Sequence, residues 1–350
     1  MKIRNLTYTL LTLLSAFSIE FIYCQTENPL EPTSAFSSLQ FNDGSKYYGQ
    51  VELGQMSGMG TYFFSDGTKR TGYFQDNKYL ADFIVTPPWH MVGLDFMLDH
   101  DYEMETFSMD LKVLTDVPDS IYLYIAPFGT GEINGTQYYG GIQTHCGGYY
   151  SVIKGENSGS YIPLGRAMIF SCWGSRESLA FRKAEGGVCE SSGYEGDFVS
   201  VRNGFQWNKG TYTISLIKTK ETVIIDSVLH TYVEMQVYDH KKKKTFSCGS
   251  LAFPGTTLVL GQRNYIFFEL YTKHVNINDI PSLKFICENY KVNGSLVKIP
   301  FVASVYNKKF PDYANTTFRE GKFTIELGVP SMNPLIEGKD INYQILYKEE

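Results

Sequence analysis

YYGGIQTHCGGYY (138–150), IFSCWGS (169–175), CESSGYEGDF (189–198) and FQWNKGTYTISLIK (205–218) share one texture: short apolar and aromatic runs broken by glycine turns. No apolar stripe at helical spacing interrupts them. In the last run Tyr212, Ile214 and Leu216 alternate with Thr211, Thr213 and Ser215, so one face is apolar and the other polar. That alternation marks an antiparallel sheet with one solvated side. Val233, Met235 and Val237 repeat it, as do Phe323, Ile325 and Leu327. The reading is an all-β chain, an antiparallel β-sandwich of jelly-roll or lectin-like form. The best short helix candidate is SRESLAFRKA (175–184).

Composition agrees. Of 350 residues, 26 are Tyr and 24 Phe, and flat rings fit a pleated, half-buried surface. The 32 glycines suit a turn-rich β protein, and charged residues are only 19%.

The first residues have the form of a secretory signal. Lys2 and Arg4 precede a mostly apolar run over 6–17, and Glu20 ends it. The run is shorter than the roughly 20 apolar residues of a membrane span. Cleavage is expected near Cys24-Gln25, giving a secreted chain with no span in its mature part. That chain carries 29 basic and 36 acidic residues, a charge of −7. An acidic protein is a poor partner for nucleic acid, where neutralised phosphates drive binding. The basic run 241–244 lies between two strand-like segments and reads as a solvated hairpin turn.

Beyond Cys24 there are five cysteines: Cys146, Cys172, Cys189, Cys248 and Cys287. In a secreted chain two disulfides are reasonable, and Cys172–Cys189 with Cys248–Cys287 would close loops of moderate length. Connectivity stays open, and the odd cysteine leaves open a dimer through an unpaired thiol. No CxxC occurs, which disfavours zinc. Three sequons, at Asn134, Asn293 and Asn315, sit in turn-like settings and are expected glycosylation sites.

Residues 25–40, polar and rich in Pro and Ser, read as a linker. A repeat follows over 41–80. Phe41-Asn-Asp-Gly44 recurs as Phe64-Ser-Asp-Gly67, and Gly49 as Gly72, at a period of 23. Tyr47, Gly49, Gly54, Gly58, Gly60, Thr61-Tyr62 and Asp66-Gly67 resemble the membrane occupation and recognition nexus (MORN) repeat. The second unit loses the trailing Gly-x-Gly. Two units are too few for a free-standing solenoid, so a small curled sheet capping the next domain is expected. The main sandwich is expected over 82–295, with 296–350 a β segment packed on it or extending it.

A second resemblance lies in the main domain. Tyr139-Gly-Gly-Ile-Gln143, Ile169-Phe-Ser-Cys-Trp173, Glu195-Gly196, and Gln206-Trp207 with Gly210 and Tyr212 are similar to motifs of the domain of unknown function family 3472. Trp89 and 119–124 fit its opening strands, and the likeness covers roughly residues 85–290. It implies a lectin-like sandwich in the company of carbohydrate-associated modules, and implies no reaction.

Aromatic faces at an exposed sheet edge stack on sugar C–H faces while polar neighbours bond the hydroxyls. Candidates are Trp173, Trp207, Tyr149 and Tyr150, with the Gln143 amide beside them. The bland reading of the two tryptophans is core packing. Glu190, Glu195 and Asp197 form an acidic, glycine-flanked loop: a solvated turn, a calcium site, or the carboxylate pair of a glycan-cleaving hydrolase. No Gly-x-Ser-x-Gly elbow, HExxH or phosphate loop occurs, and no catalytic residue is assigned. Three functions follow: a secreted non-catalytic module for glycans or glycoproteins, a glycan hydrolase, or an extracellular structural or adhesion protein.

Overall fold

Asn134-Gly135 and Asn293-Gly294 each place two successive residues at positive φ, 49° and 75° in one and 51° and 81° in the other. Two such residues make the tight turn whose twist matches a hairpin. Lys154-Gly155 and Glu320-Gly321 do the same. These turns explain why the chain folds back on itself so regularly. The computed structural model describes residues 37–193, 196–271, 273–331, 335–339 and 341–349. It is 68% strand and 2% helix. The expected signal sequence 1–24, the linker up to residue 36, and Glu195 lie outside the described residues.

Two large antiparallel sheets face one another. The twelve-stranded sheet runs, in spatial order, through Glu156–Trp173, Phe198–Gly204, Val188–Ser192, Thr136–Ile153, Leu123–Ile133, Arg263–Leu270, Trp89–Met97, Phe301–Asn307 and Ile341–Lys348. The nine-stranded sheet is centred on Val228–Asp239, Gly210–Ile225, Thr106–Val113 and Leu283–Val292. One hydrophobic cluster lies between them and draws on both, including Leu94, Phe170, Val199, Ile214, Met235 and Phe285. The alternation read from the sequence holds: Tyr212, Ile214 and Leu216 are buried, as are Phe323, Ile325 and Leu327. The all-β sandwich is therefore observed.

Several expectations need correction. The helix candidate is one short turn, Ser178–Ala180, followed directly by the strand Phe181–Lys183. The linker ends early, because Ser37–Gln40 pairs with Lys46–Glu52. The C-terminal segment extends the sandwich, one of the two expected alternatives, by adding strands to both sheets. Phe301–Asn307 pairs with Trp89–Met97, while Lys322–Leu327 pairs with Leu283–Val292.

No described cysteine is in a disulfide; all five are free and buried. Register explains this. Cys172 lies opposite Val199 and Cys189 opposite Val201, on either side of the strand Phe198–Gly204. Two strand spacings are about 9.5 Å, beyond the reach of a disulfide. Cys248 and Cys287 are four strands apart in one sheet. Burial pushes every one of these thiols up, Cys172 to about 12.

The repeat forms a separate five-stranded meander from Ser37 to Asp82. Its two units are alike in detail. Asp43 Oδ1 accepts from Ser45 N (2.9 Å), and Asp66 Oδ1 accepts from Thr68 N (2.8 Å). The Tyr47 ring lies across Gly49 and Gly60; a Cβ on Gly60 would stand 2.2 Å from its hydroxyl. The sheet docks on the sandwich through Lys69, which donates to Tyr313 Oη (2.7 Å) and to Gly328 O. Thr71 N donates to Asn278 Oδ1 (2.7 Å).

Candidate functional site

The outward face of the twelve-stranded sheet carries the features that point to a ligand. Outward residues on neighbouring strands are aromatic where solvent would favour polar groups. Trp173 packs against Tyr139, with ring centroids 4.9 Å apart at 54°. Tyr139 is 6.5 Å from Phe267, and Phe267 is 6.5 Å from Tyr265. His90 stacks on Phe267 at 4.6 Å, nearly parallel. Tyr124 meets Phe267 edge-on at 5.0 Å and is buried beneath the row. Trp173 and Tyr139 are half-buried and keep part of their surfaces in solvent.

The row ends in an open cleft of about 530 Å³. Asp95, Asp101, Glu132, Gln137, Arg263 and Tyr265 line it. Strand register assembles these residues. Tyr265 lies opposite both Asp95 and Thr130, and Glu132 lies opposite Gln137. Arg263 is held by Asp95, Nε to Oδ1 at 3.3 Å and Nη2 to Oδ2 at 3.1 Å. Burial raises the Asp95 carboxyl, and Arg263 opposes that shift. Asp101 Oδ1 accepts from Gln262 N (2.9 Å). Burial also holds the Tyr265 phenol above its ordinary value, so it stays a neutral donor. Gly93 makes room for that phenol: a Cβ there would lie 1.4 Å from its oxygen.

The residues singled out from sequence fall into three places. Trp173 belongs to the aromatic row. Gln143 lies on the same face, half-buried, with no protein partner for its side-chain amide among the described residues. Trp207 does not belong to the site. It is 1% exposed, its indole N–H donates to Gln143 O (2.9 Å), and the Arg166 guanidinium lies 4.8 Å above its ring. Its neighbours Gln206 and Asn208 suggested exposure, but the ring turns inward.

Tyr149, Tyr150 and Glu190 lie on a different structure. The hairpin of Thr136–Ile153 and Glu156–Trp173 curls until Tyr149 pairs with Cys189, closing a ring with Val188–Ser192 and Phe198–Gly204. Glu190 is paired there with Arg202, whose Nη1 also donates to Gly147 O (2.5 Å). This ion pair occupies the Glu190 carboxylate, and its supposed partner Glu195 lies outside the described residues. Tyr149 meets Tyr161 edge-on at 5.6 Å. Tyr150 is exposed, with the Lys183 ammonium 4.4 Å from its ring centroid. Among the described residues no group of three His, Cys, Asp or Glu side chains is placed to hold a metal. Among the described residues no helix is long and apolar enough to cross a membrane.

The sequon side chains are all hydrogen-bonded to backbone, Asn293 Oδ1 accepting from Glu105 N and Thr106 N, and they differ in exposure and in how many amide hydrogens are donated. Asn134 Nδ2 donates to Pro254 O (2.6 Å) and Thr257 O (2.8 Å), while Oδ1 accepts from Val259 N (2.8 Å). Asn293 is exposed, and its Nδ2 donates to Glu103 O (2.9 Å). Asn315 is half-buried in the strand Ala314–Arg319, with Nδ2 donating to Pro330 O (3.0 Å).

Sequence reasoning missed Asp95, Glu132, Gln137, Arg263 and Tyr265. One signal was available. In RNYIFFEL (263–270), rings fall on both faces, at Tyr265 and Phe267 as well as Phe268. A strand that is aromatic on its outer face is not facing plain solvent. Comparison with protein-family models and with curated proteins gives no match.

Proposed function

We propose that this chain is a secreted, non-catalytic module that binds neutral glycans on the outer face of its twelve-stranded sheet. The observation that carries the reading is the continuity of the row Trp173, Tyr139, Phe267 and Tyr265 with the polar cleft. The half-exposed Trp173 and Tyr139 rings offer apolar faces for the C–H side of a pyranose, and the buried Phe267 ring supports them from beneath. Glu132 and Gln137 offer an acceptor and an amide for hydroxyls, and the Asp95–Arg263 pair holds its donors and acceptors in a fixed direction. Three carboxylates against one guanidinium favour an uncharged sugar over an acidic one.

A glycan array probed with protein folded by circular dichroism tests this. The expected result is binding to neutral oligosaccharides, weakened about tenfold or more in Trp173→Ala, a loss of about 1.4 kcal/mol. Folded protein that binds no glycan overturns the reading.

Glycan hydrolysis is a second reading. It is favoured by the placement of Asp95, Asp101 and Glu132 around one cleft and by the raised Asp95 carboxyl. Release of reducing ends that stops in Glu132→Gln would establish it. Self-association through a thiol has less support, because each described cysteine is buried.

A further inference from the structure

The basic run 241–244 is the tip of a hairpin, and the fold leaves most of its charge unused. Asp239 lies opposite Lys244, so residues 240–243 form the loop between the strands Val228–Asp239 and Lys244–Pro254. Asp239 is buried and fixes that loop: its Oδ1 accepts from Lys241 N and from Lys242 N, each at 2.9 Å. Lys242 folds back onto the sandwich. Its Nζ lies 3.2 Å from Asp239 Oδ2, donates to Gln206 O at 2.9 Å, and stands over the Phe205 and Phe246 rings.

The other lysines have no such role. Lys241, Lys243 and Lys244 are exposed, and none has an ion pair among the described residues. Lys209 is also exposed without an ion pair, and it is brought beside the turn because Thr211 O accepts from His240 N at 3.2 Å. The Asp239 carboxylate is consumed inside the loop. Asp110, two strands away, accepts from Thr213 Oγ1 and Asn289 Nδ2. Packing does not account for four lysines in succession. Adjacent like charges repel, and Lys243 has φ 51°, the left-handed region that glycine enters more readily. A cluster of one sign on a fixed backbone attracts a partner that carries several charges of the other sign.

The surroundings select the partner. Among the described residues no large apolar side chain is exposed at 205–209 or 239–246, which disfavours a lipid surface, where apolar groups enter the interface. Phe205 is buried, and Lys242 and Lys244 lie over Phe246, so no ring is open to stack a nucleobase. What remains is an anionic polymer held by charge alone. The whole chain carries −6, which repels such a polymer elsewhere and confines contact to this end.

We propose that Lys209, Lys241, Lys243 and Lys244 form a docking surface for a sulfated polysaccharide. The surface is separate from the glycan cleft. Asn134 lines that cleft and donates to Pro254 O, whereas the lysines lie at the other end of the strand Lys244–Pro254, about 30 Å away at the usual rise per residue. The inference shares with the glycan reading only export from the cell.

The test is calorimetric titration of the full chain with heparin over a range of sodium chloride concentrations. Affinity should fall about a hundredfold between about 50 and 200 mM salt, as when about four charges release counterions. The variant carrying Lys241→Gln, Lys243→Gln and Lys244→Gln, with its fold checked by circular dichroism, should bind at least about thirtyfold more weakly at the lower salt. Lys243→Gly removes one charge and suits the left-handed position. It should be no less stable than the wild type, while the slope of log affinity against log salt falls by about one. Lys154→Gln, on another hairpin, should change neither. No binding of heparin at the lower salt overturns the proposal and leaves the glycan cleft untouched. Binding that the triple variant retains overturns the location. Duplex DNA or phosphatidylserine vesicles bound as tightly as heparin overturn the choice of partner.

Discussion

Trp207 donates its indole N–H to the carbonyl oxygen of Gln143 at 2.9 Å, and Arg166 covers the ring. Arg166 is itself tied to Asp119 and to Val117 O. Trp207 is therefore a core residue that anchors the strand beneath the candidate site. Trp207→Ala should cost about 3–5 kcal/mol in urea unfolding, the range for a buried aromatic truncated to alanine. Trp173→Ala, at a half-exposed ring, should cost about 1–2 kcal/mol. Its main effect should be on glycan affinity. Equal stability losses would mean that the two rings share one role.

Asn134 has no free amide hydrogen, because both are donated to carbonyl oxygens across the turn. A glycan on Nδ2 would remove one donor and push into Pro254 or Thr257. Peptide mapping of protein from a glycosylating host should show Asn134 bare and the exposed Asn293 occupied. Asn134→Ala should destabilise by about 2–3 kcal/mol, roughly 1 kcal/mol for each of the three hydrogen bonds. A glycan found at Asn134 would mean that the turn opens before the strands close over it.

The contrast between these residues shows what a sequence can and cannot carry. Tyr212, Ile214 and Leu216 announced a buried face because side-chain direction in a strand has a period of two, a local property. Asn134-Gly135 announced a hairpin because only certain residues accept positive φ, also a local property. Trp173, in an apolar run, looked the more core-like and Trp207, between Gln206 and Asn208, the more exposed, and the folded sheet reverses the two. Cys172 and Cys189 seemed a natural pair at short sequence distance, yet one strand intervenes. Asp95, Glu132 and Arg263 meet only through the register of strands far apart in sequence, which no local pattern encodes. Part of the docking contact of the small sheet was nearer to legible. Lys69 repeats Lys46 at the period of 23, but only Lys69 meets Tyr313.

Burial of five thiols makes a chemical prediction. The thiolate is the reactive form, and each of these groups is pushed toward the neutral thiol. Native protein should react with no equivalent of a thiol-specific dye at pH 8, and denatured protein should react at Cys146, Cys172, Cys189, Cys248 and Cys287. Rapid labelling of the native state would show that the strands around these residues open readily. A mass two units low for a cysteine pair would show a disulfide that the strand register forbids.

Asp312 sets a pH dependence whose sign can be worked out. Burial raises its carboxyl to about 6, against an unfolded value of 3.8. Between those values the folded state keeps the proton that the unfolded state has lost. This contribution to stability is full below pH 3.8, falls as pH rises toward 6, and is flat above. The span between the two values corresponds to on the order of 3 kcal/mol. Other carboxylates, such as Asp82 and Asp99, are lowered by hydrogen bonds and act in the opposite direction. The measurement is therefore the difference between wild type and Asp312→Asn. The variant should gain on the wild type from pH 4 to 6 and remain the more stable at pH 7. A difference that does not change with pH would mean that water reaches Asp312 and that the edge of the sandwich is wet.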